Sequence, residues 1–232
     1  MNGVSLVLLF SSLIIGALLI VALLKKEQSE WLKLFLFAGI VGAAAFATVY
    51  LTAYTIMENQ RSATGGPVHW HADFEIYSCG QPVKLKNPSG LSNRIGTPLL
   101  HEHGDGRIHV EGTVGNLKDV ALGKFFESLG GKLTNNLLLL PTDQGEFAMQ
   151  NWQDCPGETT KPALQIFVYK IAGREIIQEK LLDLAGYILT PASKIPPGDC
   201  LIIEFGPPKA KTDKMCTFYK LAIQNGDYQY GD

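Results

Sequence analysis

The 232-residue chain has no histidine outside residues 69–109, no Cys-x-x-Cys pair, no basic cluster, and no charge at all in two long stretches near its start. Each gap excludes something. With 20 basic against 22 acidic side chains and a net charge of −2, the chain carries neither the electrostatic footprint of a nucleic-acid binder nor a polybasic patch for anionic lipid. Nucleic acid is not expected as a partner. No P-loop, GxSxG or HExxH motif is present, so no catalytic residue and no organic cofactor site is assigned, and the chain reads as a binding protein rather than an enzyme. Without Cys-x-x-Cys, thiol–disulfide exchange is a poor fit. The four cysteines, Cys79, Cys155, Cys200 and Cys216, are even in number, as an oxidising compartment favours; they allow three connectivities, or can sit unpaired in a core.

The uncharged stretches define the front of the chain. Val4 to Leu24 is long enough, at about 1.5 Å per residue, to cross a hydrocarbon core of roughly 30 Å. It has no basic residue before it, and Lys25 and Lys26 follow where a signal peptidase would need small residues, so it reads as a retained helix. Leu34 to Met57 is a second uncharged run, with Gly39, Gly42 and Ala43 to Ala45 forming a small-residue face for close helix packing. The expectation is a transmembrane helical hairpin over residues 1–57, with membrane lipid as its surroundings. Lys25, Lys26 and Lys33 lie in the short connection, which places that connection in the cytoplasm and the remainder of the chain in the periplasm or on the cell surface. A polar, glycine-containing linker is expected at residues 58–67, an extracytoplasmic domain at 68–208 and a tail at 209–232.

From Val68 the texture becomes short alternating runs broken by Gly and Pro, the signature of strands and turns. In HWHADFEIY, side chains of period two put Trp70, Ala72, Phe74 and Ile76 on one face and His69, His71, Asp73, Glu75 and Tyr77 on the other. A second strand is expected near Val83 to Lys86, and a loop over 87–98. LLHEHGDGRIHVEG reads as a hairpin turning at Gly104-Asp105-Gly106, and VALGKFFESL as a short amphipathic helix ended by Gly130-Gly131. Residues 141–162 read as a long loop, 163–178 as a hairpin turning at Ala172-Gly173, and 199–205 as a returning strand. The fold class is therefore α+β: a two-helix anchor and a β-rich domain with one or two short helices, whose late part has the outline of a β-grasp unit.

The histidines carry the chemistry. His-x-His on a strand places two imidazoles on one face with α-carbons about 7 Å apart, close enough to converge on one ion. The arrangement occurs twice, at His69/His71 and His101/His103, and His109-Val110-Glu111 repeats the spacing with a carboxylate. If the hairpin closes at the Gly-Asp-Gly turn, His101 or His103 comes opposite His109. The metal set is thus His69, His71, His101, His103, His109 and Glu111, with Glu102, Asp73 or Glu75 as further ligands or as acceptors orienting an imidazole. Nitrogen-rich, thiolate-poor ligation suits zinc, divalent copper, nickel or non-haem iron, with affinity order favouring copper; a divalent transition metal, copper or zinc, is expected.

At HWHADFEIY, HEHGDGRIHVEG and LGKFFESLG the chain resembles a family of uncharacterised membrane-anchored prokaryotic proteins with an HxHADF strand, an HxH hairpin followed by IHxE, and a late turn into an apolar strand ending in FG. The likeness spans roughly residues 66–207 and implies an extracytoplasmic α+β domain similar, in its late part, to β-grasp modules. Pro197-Gly198-Asp199-Cys200 at the last turn and the segment from Lys209 onward depart from that pattern.

Together these features point to a membrane-anchored extracytoplasmic protein that binds copper or zinc, as an accessory or metal-handling subunit of a membrane complex whose other subunits would be its partners. The alternatives are a structural or interaction subunit without metal, or a metal-dependent enzyme.

Overall fold

The computed structural model of the protein describes residues 3–189 and 198–231 and divides into two compact units that meet between Arg61 and Ser62. The first holds helices α1 (Gly3–Leu24) and α2 (Glu30–Arg61). Both are long and apolar enough to cross a membrane. Their outward side chains, among them Phe10, Leu13, Phe37 and Phe46, are bare of protein, unlike the mostly buried core helix of a soluble domain. The pair packs closely at Gly39, where a Cβ would come within 2.7 Å of Leu18 Cδ1. Helix α2 is longer than the hydropathy suggests. Ser29 Oγ accepts from the Leu32 amide at 3.3 Å and caps its start. At the other end the good helix formers Glu58, Gln60 and Arg61 continue it until the glycine pair Gly65-Gly66 takes up positive φ. The first part of the expected linker 58–67 is therefore helix.

The second unit is built on a nine-stranded mixed sheet. Its strands are β1 (Pro67–Ser78), β2 (Gln81–Val83), β3 (Ile95–Gly96), β4 (Leu100–Glu102), β5 (Arg107–Thr113), β9 (Ala163–Ala172), β10 (Glu175–Lys180), β11 (Cys200–Gly206) and β12 (Gln229–Tyr230). They run in the order β12-β10-β9-β11-β1-β5-β4-β3, with β2 folding back on the end of β1. At the centre β1 and β11 lie side by side and parallel. A separate three-stranded sheet joins β6 (Lys132–Leu133), β7 (Leu137–Thr142) and β8 (Gly145–Gln150). The helices are α3 (Leu122–Ser128) and α4 (Thr217–Gln224). The class is α+β, as the alternation of short strand and helix patterns implied; the β-grasp likeness is not confirmed.

One face of the large sheet makes the main core. Ala72, Phe74 and Ile76 of β1, Ile108 and Val110 of β5, and Leu201 of β11 pack there with Phe125 and Phe126 of α3 and with Leu138 and Met149 of the small sheet. On the opposite face Phe167, Tyr169, Cys200 and Ile202 are covered by Met215, Cys216 and Tyr219. Strand β11 is buried along its whole length because it is covered on both faces.

Two expectations need correcting. Residues 141–162 are not one long loop: β7 and β8 form a hairpin turning at Asp143-Gln144, and only the stretch from Asn151 on is irregular. Its second strand, Gly145–Gln150, turns only half-buried Phe147 and fully buried Met149 toward the core, too short an alternation to mark a strand by itself. Nor is 209–232 a tail. Tyr219 is buried and donates to the carbonyls of Gly198 and Tyr169 at 2.8 and 3.2 Å, α4 covers the second core, and β12 adds a parallel strand to the sheet edge.

All four cysteines are paired, Cys79 with Cys155 and Cys200 with Cys216, at Cα separations of 5.5 and 5.8 Å. The first bridge ties the β1–β2 turn to the loop after β8, and the second ties the C-terminal segment to β11. With partners 76 and 16 positions apart in sequence, loop-closure entropy assigns them about 4 and about 3 kcal/mol respectively. Replacing either pair by alanine is expected to lower stability by that order in guanidinium unfolding of the detergent-solubilised chain; unchanged midpoints would show that the bridges contribute nothing.

Candidate metal centre

Strand β5 lies between β1 and β4, and the antiparallel register sets His71 opposite His109 and His109 opposite His101. One step further along β1 and β5, His69 faces Glu111. Because strand side chains alternate, Ile108 and Val110 point into the core while His109 and Glu111 stand on the other face. Leu100 likewise turns inward beside His101. The hairpin turns at Gly104 and Gly106, with φ of +83° and +71°, and this register brings all five imidazoles onto one face of three adjacent strands.

The rings touch in sequence. Centroid distances are 4.6 Å for His69–His71, 4.7 Å for His71–His109, 4.7 Å for His103–His109, 4.8 Å for His101–His103 and 5.4 Å for the stacked His101–His109 pair. Two trios have ligand atoms that lie within 4.8 Å of one another, His69/His71/His109 and His101/His103/His109. The Nε2 atoms of His69 and His71 are 2.9 Å apart, against an edge of about 3.3 Å for a tetrahedron with zinc–nitrogen bonds of about 2.0 Å. Glu111 reaches both groups, its two oxygens 3.2 Å from His69 Nε2 and 3.8 Å from His101 Nε2.

Hydrogen bonding fixes which nitrogens are free. His101 Nδ1 lies 3.1 Å from the Thr97 carbonyl and His103 Nδ1 2.6 Å from the Asn93 carbonyl. A carbonyl only accepts, so both Nδ1 atoms carry a proton and, in the neutral ring, Nε2 is the nitrogen left to ligate, as for orienting acceptors behind metal-bound histidines. His109 Nε2 lies 3.3 Å from Asp105 Oδ2, while its Nδ1 is buried without a hydrogen-bond partner. Burial, reinforced by the neighbouring His109 and His69, pushes the pKa of His71 down to about 4, and burial also lowers that of His101 against the pull of Glu111. These two rings are neutral at pH 7, the form that ligates metal.

The other carboxylates go elsewhere. Asp73 binds Arg107 at 2.8 Å, and its pKa is raised by burial, with the Arg107 hydrogen bond opposing. Glu75 accepts the Tyr77 hydroxyl at 2.5 Å. Glu102 alternates to the opposite face, where Oε1 accepts the Gly106 amide at 3.1 Å and buried Oε2 has no partner beside a cavity of about 460 Å³. None of the three joins the histidines. Three contributors were invisible in the sequence. Asp105 read as a turn residue, the carbonyls of Asn93 and Thr97 belong to a segment read as plain loop, and the Gly198 backbone lies close against that of His71. A Cβ on Gly198 would overlap the His71 carbonyl oxygen, and the Asp199 carbonyl beside it accepts the Asp73 amide at 2.9 Å.

No family model, no curated protein and no solved structure matches this chain. The geometry of the histidine cluster therefore stands as the functional signal, and it could hold a metal ion.

Gly198 and Gly173 have the same left-handed backbone, φ +62° and +67°, but a Cβ on Gly173 would meet open space. Gly173→Ala is expected to cost about 1–2 kcal/mol from the backbone alone. Gly198→Ala is expected to cost clearly more and to disturb the His71 ring resonances. Equal costs would show that the close approach to β1 does not position the histidine.

Proposed function

We propose that the protein is a membrane-anchored, extracytoplasmic metal-binding protein that holds copper or zinc on the β1–β5–β4 face, serving as an accessory or metal-handling subunit of a membrane complex. The observation that carries this reading is the convergence of all five histidines, from three paired strands, into trios with mutually close ligand atoms. With every cysteine in a disulfide no thiolate is at hand, and imidazole with a carboxylate suits divalent copper or zinc. Neutral His71 and His101, and the Nδ1 hydrogen bonds that orient His101 and His103, lower the reorganisation that binding requires.

The extracytoplasmic placement rests on two independent supports. Two disulfides persist in oxidising compartments and are rare in the cytosol, and Lys25, Lys26 and Lys33 cluster between the helices, as cytoplasmic connections do. Both favour the same side. The likeness to membrane-anchored prokaryotic proteins at the HxHADF and HxH…IHxE motifs agrees with that arrangement.

The test is elemental analysis of the full chain, purified in detergent without a histidine tag, beside a variant with His71, His101 and His109 changed to alanine. Near-stoichiometric copper or zinc in the parent and none in the folded variant is expected; a parent that neither carries nor takes up either metal would overturn the reading. For the placement, Lys161→Cys should react with a membrane-impermeant thiol reagent on intact cells, whereas Glu27→Cys should react only after permeabilisation. The reverse pattern would put the domain inside.

A further inference from the structure

We infer that the cluster is built for two metal ions rather than one, with His69 and His71 in one lobe, His101 and His103 in the other, and the side chains of β5, His109 and Glu111, shared between them. This rests on the metal-binding reading above and goes beyond it in stoichiometry and in the role of each residue.

Neighbouring strands are about 4.8 Å apart, so β1 and β4, on opposite sides of β5, have backbones roughly 10 Å from each other. Donors around one ion with bonds of about 2.0–2.1 Å cannot be more than about 4 Å apart. The ring contacts follow this division. His69 and His71 touch each other and His109, His101 and His103 touch each other and His109, and among the described residues no trio of close ligand atoms joins one outer pair to the other. A single ion could take one lobe and would leave the other pair of imidazoles idle.

His109 belongs to both trios. Its ring has two nitrogens on different edges; Nδ1 is buried and unpartnered, and Nε2 has only the 3.3 Å contact to Asp105. An imidazole that loses its proton can ligate through both. Glu111, two residues further along the same strand face, repeats the arrangement with a carboxylate, one oxygen toward His69 and the other toward His101. A second dication close to the first is disfavoured by repulsion, and the Glu111 and Asp105 carboxylates lie where they reduce it. The centre strand thus supplies shared groups, and each outer strand supplies a His-x-His pair.

The test is metal stoichiometry of the full chain in detergent, titrated with Zn(II) and separately with Cu(II), in the parent, in H69N/H71N, in H101N/H103N and in H109A, with circular dichroism confirming that each is folded. The parent is expected to bind two equivalents and each pair variant one, while H109A loses at least tenfold in affinity at both positions. With Cu(II), the doubly loaded parent should show spin–spin interaction in its electron paramagnetic resonance spectrum, and either pair variant the spectrum of isolated Cu(II). If the parent binds one equivalent, or one pair variant loses all binding while the other keeps it, the two-ion inference is overturned and the one-ion reading stands. No binding in the parent would overturn both. Should H109A fail to fold, the two pair variants and the parent spectrum decide alone.

Discussion

The pairing of β5 with β1 on one side and β4 on the other is the interaction on which everything else depends. Side chains on a strand alternate with period two, so each of these strands presents an apolar set to α3 and the small sheet and a polar set to the opposite face. A slip of one residue in either pairing would bury histidines in the core and turn Ile108 and Val110 outward. The buried apolar residues on one face therefore hold the imidazoles in line on the other. The core specifies the register, and the register makes the site.

The same alternation divides the second face into two regions. On β9 and β11 it is apolar and is sealed by α4, Met215 and the Cys200–Cys216 bridge. On β1, β5 and β4 it carries the histidines. Arg107 marks the border: its guanidinium pairs with Asp73 and lies 4.8 Å from the centroid of the Phe218 ring on α4. A cation there is held by a buried carboxylate and an aromatic face, and its charge adds to the effects that keep His71 neutral. The C-terminal segment thus completes one core and, through Phe218, meets the Arg107 side chain at its border.

Much of this was legible from residue order because the signals were local. Alternation in HWHADFEIY, the Gly-Asp-Gly turn and the repeated His-x-His spacing each depend on neighbours in sequence, and the hairpin register then follows from the turn. What escaped was long-range or was carried by backbone. Glu102 sits one residue from both His101 and His103, so the alternation that aligns the two imidazoles sends its carboxylate to the other face. Asp105 reaches His109 because a tight turn brings its carboxylate back over the strand. The Asn93 and Thr97 carbonyls carry no side-chain signature at all. The segment after Pro207 looked dispensable because its apolar residues are sparse; a disulfide and a buried tyrosine, Tyr219, anchor it instead.

A cluster of five imidazoles is an unusual thing for a sheet to hold. A buried polar atom without a partner costs on the order of 1–3 kcal/mol, and His109 Nδ1 is one. His71 and His101 are held neutral by burial among other rings, so they gain little from water. A protein that used this face only for contact would meet less cost with threonine or valine, which suit strands better. The arrangement is consistent with a state in which those nitrogens have a partner of their own, and an ion that binds the folded chain and not the unfolded one would stabilise the fold by its binding free energy. On that view the unpartnered histidine face is set on strands whose other face, with Ile108 and Val110, lies in the main core.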